Sequence, residues 1–258
     1  MFAHNKIDFH RNKVLKAELL QETADYTNEM LEHIYRNYSD GIIEGVNITV
    51  NDEYLTIHPG MIKYKGILYH MPKEEHIHYE HSGRKTFLRL RFLEANQSEE
   101  IIQYNSEFVL SEEEITFPYE MELGRFVAEK GAVLYADFAE LEIMATGYNQ
   151  FDIRNVPYAG RKEPTLSPEI TFYFGKKLLK KNTENYYDIA FGMQCLNGKP
   201  VEREMIYSYL SARTKRVVDK MTNEEICEEF IRILHQSERE TIPRKTHTQQ
   251  SNRRIIVD

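Results

Sequence analysis

Two imidazoles one residue apart, in His76-Ile77-His78, would project from the same side of a β-strand, where they can bind a transition metal together. His81 lies near enough in the chain to complete such a shell, an equivalent histidine from another subunit would serve equally, and His70 stands upstream. A metal held this way would be structural, and histidine protonation near about pH 6 would weaken it. The same residues also read as a solvent-facing histidine-rich loop flanked by Glu74, Glu75 and Glu80, and the sequence leaves both readings open.

Other chemistry leaves fewer marks. A phosphate cradle needs closely spaced glycines so that backbone N–H groups can approach the anion, and neither GxxxxGK[ST] nor GxGxxG occurs. There is no GxSxG elbow and no HExxH helix. Cys195 and Cys227 fall within apolar helical patterns, which makes them buried structural thiols of a reducing compartment rather than nucleophiles or a disulfide framework. Glu99-Glu100 and Glu112-Glu113-Glu114 are adjacent runs beside turns and read as solvated charge. The run Arg213-Thr214-Lys215-Arg216 with Lys220 reads as a solvated helix face, with contact to nucleic acid or an acidic partner as the other reading. The expectation is a non-enzymatic protein with no cofactor beyond a structural metal at His76 and His78.

Aromatic residues offer a third kind of surface. The chain holds 17 tyrosines, 13 phenylalanines and no tryptophan. Tyr54, Tyr64 and Tyr69 fall in a strand-rich stretch, where rings with a polar tip suit cross-strand packing or a carbohydrate-facing stripe.

The elements that would position these groups come in blocks. Asn12 to Tyr35 has helix formers and no Gly or Pro, and Leu20, Ala24, Thr27, Leu31 and Ile34 recur at heptad-like spacing. That pattern predicts either an amphipathic helix packed on its own domain or a self-associating coil whose interface is Leu20, Ala24, Leu31 and Ile34. From Gly41 the chain turns β-branched, with turns at Asn51-Asp52, Pro59-Gly60, Lys65-Gly66 and Glu129-Lys130-Gly131. Strands are predicted at Ile42–Val50, Tyr54–Ile57, Met61–Tyr64, Ile67–Met71, Lys85–Leu93, Gln103–Leu110, Glu114–Pro118, Arg125–Ala128 and Ala132–Tyr135, with Phe87, Arg89 and Arg91 on a wet face of their strand. Short strands and tight turns suggest an antiparallel sandwich or open barrel.

Gly147, Pro157, Gly160, Pro164 and Pro168 cluster as an interdomain connection. Ser167-Pro168 then starts a helix, and helical patterns follow through Leu196, from Glu202 to Val218, and from Thr222 to Leu234. The reading is α+β: an N-terminal helical segment (1–40), a β-rich domain (41–147), a linker (148–167), an all-α domain (168–235) and a flexible tail (236–258) on which Ile255–Val257 stands as a candidate last strand. The formal charge of −8 disfavours adhesion to nucleic acid or anionic lipid, and no apolar run is long enough to span a membrane. Synthesis in, and retention by, a bacterial cytoplasm is expected until something carries the protein elsewhere.

The stretch Gly41-Ile-Ile-Glu-Gly-Val, then Tyr54-Leu-Thr-Ile-His-Pro-Gly-Met-Ile-Lys-Tyr-Lys-Gly-Ile-Leu-Tyr69, resembles a segment common in bacteriophage tail fibre and baseplate proteins. Glu122-Leu-Gly-Arg-Phe-Val-Ala-Glu-Lys-Gly-Ala132 resembles the strand, turn and strand that often follow in those proteins, and the match spans residues 15 to 135 or so. The resemblance implies a structural component of a phage or prophage tail, virion baseplate or related particle, with copies of itself as partners, often as a trimer, and neighbouring tail proteins besides. Two other expectations stand beside it: a module recognising cell-surface glycans through the tyrosines, and a nucleic-acid-associated regulator using the C-terminal helices.

Overall fold

The computed structural model describes residues 16–98, 101–114, 116–136, 141–181 and 184–241. Helix α1 (Ala17–Tyr35) leads into an antiparallel β region. Its strands are β1 (Gly41–Gly45), β2 (Ile48–Val50), β3 (Tyr54–Ile57), β4 (Gly60–Tyr64), β5 (Ile67–Met71), β6 (Glu75–His78), β7 (Lys85–Phe92), β8 (Asn96–Gln97), β9 (Ile102–Gln103), β10 (Ser106–Ser111) and β11 (Glu120–Val127). Helices α2 (Leu141–Thr146), α3 (Pro168–Lys180), α4 (Tyr186–Cys195), α5 (Arg203–Thr214) and α6 (Asn223–Thr241) follow. The fold is α+β, as the sequence indicates.

Three small antiparallel sheets, in the orders β1-β4-β5, β10-β7-β11 and β2-β3-β6, enclose one core that includes Ile42, Leu55, Ile57, Ile62, Leu88, Leu90, Phe92 and Phe126. Local chemistry sets their turns. Lys65 and Gly66 both take positive φ, which suits a two-residue β4–β5 hairpin, and the Asn51 side chain accepts from the backbone N–H groups of Glu53 and Tyr54 to fix the β2–β3 turn. Gly45 has φ +70° and faces Gly60 across the β1–β4 ladder; a Cβ on Gly45 would stand 2.2 Å from the Pro59 carbonyl oxygen. Only glycine fits there.

Several expectations are corrected. Strand β7 has no wet face at its centre: Phe87 and Arg89 are as buried as Leu88 and Leu90. It lies between β10 and β11, and Arg89 donates to the Glu113 carbonyl from the segment that folds back over this side, with Glu120 of β11 nearby. Residues 116–118 and 132–134 are not strands, while α2 forms where no helix was expected. The connection at 148–167 is packed, not loose. Its prolines and glycines prevent a continuous ladder, yet isolated bridges join it to β1, β11 and Tyr135, and Phe151, Val156 and Tyr158 enter the β core.

The helices build a second core around Phe174, which stacks on Phe230 at 4.0 Å and meets Phe191 and Tyr209 edge-on. Leu141 of α2 joins it. Helices α3 and α4 approach closely at Gly175 and Gly192, where added methyl groups would meet Cys195 and Leu179. Caps match the sequence signals: Ser167 accepts from the Glu169 N–H, and Thr222 with Glu225 forms a reciprocal capping box at the start of α6. Helix α6 continues to Thr241 through what reads as the start of the tail; Ile255–Val257 and the start of the N-terminal helical pattern, 12–15, lie outside the described residues.

Candidate assembly surface

Helix α1 carries the expected apolar spacing but buries none of its residues. Leu20 and Ile34 are about half exposed, as are Tyr26 and Met30 beside them; Ala24 is exposed and Leu31 half-buried. The reading in which this helix packs on its own domain is therefore corrected: the seam faces outward along its length. The root is fixed all the same. Lys63 on β4 is buried, and its ammonium donates to the carbonyls of Tyr35 (2.6 Å), Arg36 (3.3 Å) and Tyr38 (2.6 Å). A cation on the exposed carbonyls of a helix C-terminus satisfies groups with no intrahelical partner and complements the helix dipole. Ser39 N–H donates to the Gly160 carbonyl at 2.8 Å, and the Gly160 N–H returns a bond to the Ser39 hydroxyl. Among the described residues, the helix is thus anchored at its C-terminal end, and its apolar stripe stays partly exposed with no residue buried.

Its charges are placed to match. With Leu20, Thr27 and Ile34 at d and Ala24 and Leu31 at a, the carboxylates Glu18, Glu22, Asp25, Glu29 and Glu32 all fall at b and f, farthest from the seam. The flanking e and g positions hold Gln21, Thr23, Asn28, Met30 and Tyr35, which carry no charge. Copies aligned along this seam would meet no like-charge repulsion at its edges.

The other expected sites fare differently. Tyr64 is core: it stacks on Phe92 with centroids 3.7 Å apart, and its hydroxyl donates to the Pro118 carbonyl. Tyr69 packs edge-on against the same Phe92 and is half-buried along a groove of about 650 Å³ between β5 and β10, where burial pushes its pKa up. Tyr54 lies on a different sheet, edge-on to His78. The three tyrosines form no common exposed stripe: Tyr64 and Tyr69 share the face of their sheet that packs on Phe92, and Tyr54 belongs to another sheet.

His76 and His78 do share a face of β6, but His81 does not join them. Its ring nitrogens face the carbonyls of Glu129 (3.1 Å) and Asp52 (3.2 Å). Among the described residues, no three His, Cys, Asp or Glu side chains are already gathered as a metal cage. His76 instead faces Glu74, which His58 approaches from the end of β3. His58 and Lys63 escaped the sequence reading, and Glu74 figured in it only as solvated charge beside the histidines. His58 meets Glu74 across 16 residues and Lys63 meets Tyr35 across 28, and no local pattern marks either contact.

Cys195 and Cys227 are buried and free, and burial pushes both thiols up to about 12, which suits structural thiols. Glu112 and Glu114 pair with Arg84 and Lys85 at the surface, while Glu99-Glu100 lies outside the described residues. The basic run is divided: Arg213 turns inward to the fully buried Asp188, which also accepts from Tyr209, so only Lys215, Arg216 and Lys220 remain exposed. No described helix is long and apolar enough to cross a membrane.

The fold and this surface define an α+β protein with one anchored, outward-facing amphipathic helix. No family model matches the chain, and no curated protein matches it. Among solved structures it is similar to one of TssK, at 8% sequence identity and a TM-score of 0.39, over 91% of this chain and 72% of that one. A likeness that distant assigns neither fold nor role.

Proposed function

We propose that this protein is a non-enzymatic structural component of a phage or prophage tail or baseplate-like assembly, working by burying surface against copies of itself and neighbouring proteins. The observation that carries the reading is α1: an apolar seam with no buried residue, neutral flanks, and a root held by Lys63. An exposed apolar stripe of this kind marks an interface, and spending a buried lysine to hold the root gives the helix a fixed direction in which to meet partners. The tail-protein motif adds support, since its Gly41, Gly45 and Gly60 sit where backbones approach too closely for a side chain. Helix α1 is the self-association element, and its Leu and Ile at a and d with Met30 widening the stripe favour three or more strands over two.

Sedimentation velocity of the full chain tests this. The wild type is expected to sediment as an oligomer at tens of micromolar or below, in keeping with an interface of ordinary strength, and Leu31→Asp with Ile34→Asp to sediment as a monomer with unchanged far-UV circular dichroism. A wild-type chain that stays monomeric across that range overturns the self-association on which the reading rests.

A further inference from the structure

We propose that His58, Glu74 and His76 form a surface site for a divalent transition metal of the zinc or nickel type, one ion per chain, binding β3 to the edge strand β6. The register places them together. Ile57 pairs with Glu75 and Thr56 with His76, so residues 58 and 74 fall opposite one another just past the paired ends, and His76 follows Glu74 on the same face. His58 Nδ1 stands 3.8 Å from Glu74 Oε2, and His76 Nε2 stands 3.5 Å from Glu74 Oε1. Donors each about 2.0–2.1 Å from a tetrahedral zinc lie roughly 3.3 Å from one another, so each histidine–carboxylate spacing is close to that of a shared ion, and drawing both rings onto one ion takes a rotation of exposed side chains.

The far side of each ring is already held. His58 Nε2 lies 3.0 Å from the Thr49 hydroxyl and His76 Nδ1 lies 2.9 Å from the Thr56 hydroxyl. When each of those nitrogens carries the proton and donates to threonine, the opposite nitrogen is left with a lone pair aimed at the carboxylate. Two lone pairs and a carboxylate facing one another call for a cation between them. The side chains are 39% and 53% exposed for His58 and Glu74 and 53% for His76, which leaves an entry path from solvent. Two imidazoles and one carboxylate suit zinc, nickel or copper and discriminate against magnesium. His78 and His81 take no part: the first packs on Tyr54, and the second has both nitrogens against backbone carbonyls.

Isothermal titration of the full chain with zinc chloride, with magnesium chloride as control, decides the matter. The expected result is saturable binding of one zinc and no magnesium heat, weakened more than about 10-fold by His58→Ala, by His76→Ala and by Glu74→Gln. His78→Ala and His81→Ala are expected to bind as the wild type does. These positions are solvent-facing, and circular dichroism of each variant separates lost binding from lost fold; a variant that unfolds is replaced by His58→Gln or His76→Gln. The proposal is overturned by absent zinc binding, by binding that survives His58→Ala and His76→Ala, by equal loss in His78→Ala, or by less than one ion per chain.

Discussion

Helices α1 and α6 are each 19 residues long, each amphipathic, and each rich in glutamate on the polar side, yet they end in opposite circumstances. The apolar face of α6 vanishes into the helical core through Ile226, Cys227, Phe230, Ile233 and Leu234, whereas α1 leaves Leu20 and Ile34 half exposed. The difference lies in their neighbours. Helix α6 is met by α3 and α2, and Phe174 offers its ring to Phe230; among the described residues, α1 is held at its last turn, on Lys63. Amphipathicity states that a face requires a cover. Whether the cover comes from the same chain or from another is a separate matter, and that matter separates a core helix from an assembly helix.

The largest test of this contrast is truncation on both sides. Phe230→Ala removes a fully buried ring and is expected to lower unfolding stability by about 3–5 kcal/mol in urea denaturation. Leu31→Ala, measured where the chain is monomeric, is expected to change it by less than about 0.5 kcal/mol. Comparable losses at the two sites would place α1 against its own domain and end the contrast.

A middle-sized effect sharpens it. Lys63→Met takes the ammonium from three carbonyls and is expected to cost about 1–3 kcal/mol, with faster amide exchange in the last turn of α1 and unchanged protection in α6. Slower exchange, or none, would show that the helix needs no such root.

The smallest effect concerns the seam between the β region and α6. Glu224 accepts from Asn155 at 2.7 Å and faces Arg125 at 3.5 Å; the Asn155 hydrogen bond first, then Arg154 and Arg125, hold its carboxyl below the ordinary value of 4.5. A depressed carboxylate adds stability above its unfolded pKa and loses it as pH falls through the lower folded value. The wild type should therefore exceed Glu224→Gln at pH 7 by less than about 1 kcal/mol, since the side chain is partly exposed. The two should converge in acid, below the ordinary glutamate range. A gap that persists or widens in acid would rule out the carboxylate as its source.

What could be read directly from the chain was local. The Ser167-Pro168 start of α3, the Thr222–Glu225 box of α6, the Lys65-Gly66 hairpin and the spacing of α1 each depend on residues within a few positions of one another, so their signals survive in one dimension. The same holds for the α+β order and for the thiols, since an apolar helical pattern implies burial. The errors share a different cause. Arg89 reads as a wet residue by alternation alone, and becomes buried because β10, β11 and the segment at Glu113 close around it. Tyr64 reads either as cross-strand packing or as part of a sugar-facing stripe, and is fixed as core by Phe92, 28 positions away in the chain. The proline-rich stretch at 148–167 reads as a tether, and is drawn into the β core by bridges to strands formed far earlier. His76 is visible as half of a pair with His78, and alternation alone sets it on the same face as Glu74, but only strand pairing brings His58 to them. Propensity, capping and turn geometry act through neighbouring bonds and so are written in sequence; burial, partner choice and the face left open depend on which remote segments arrive, and those only the folded chain determines.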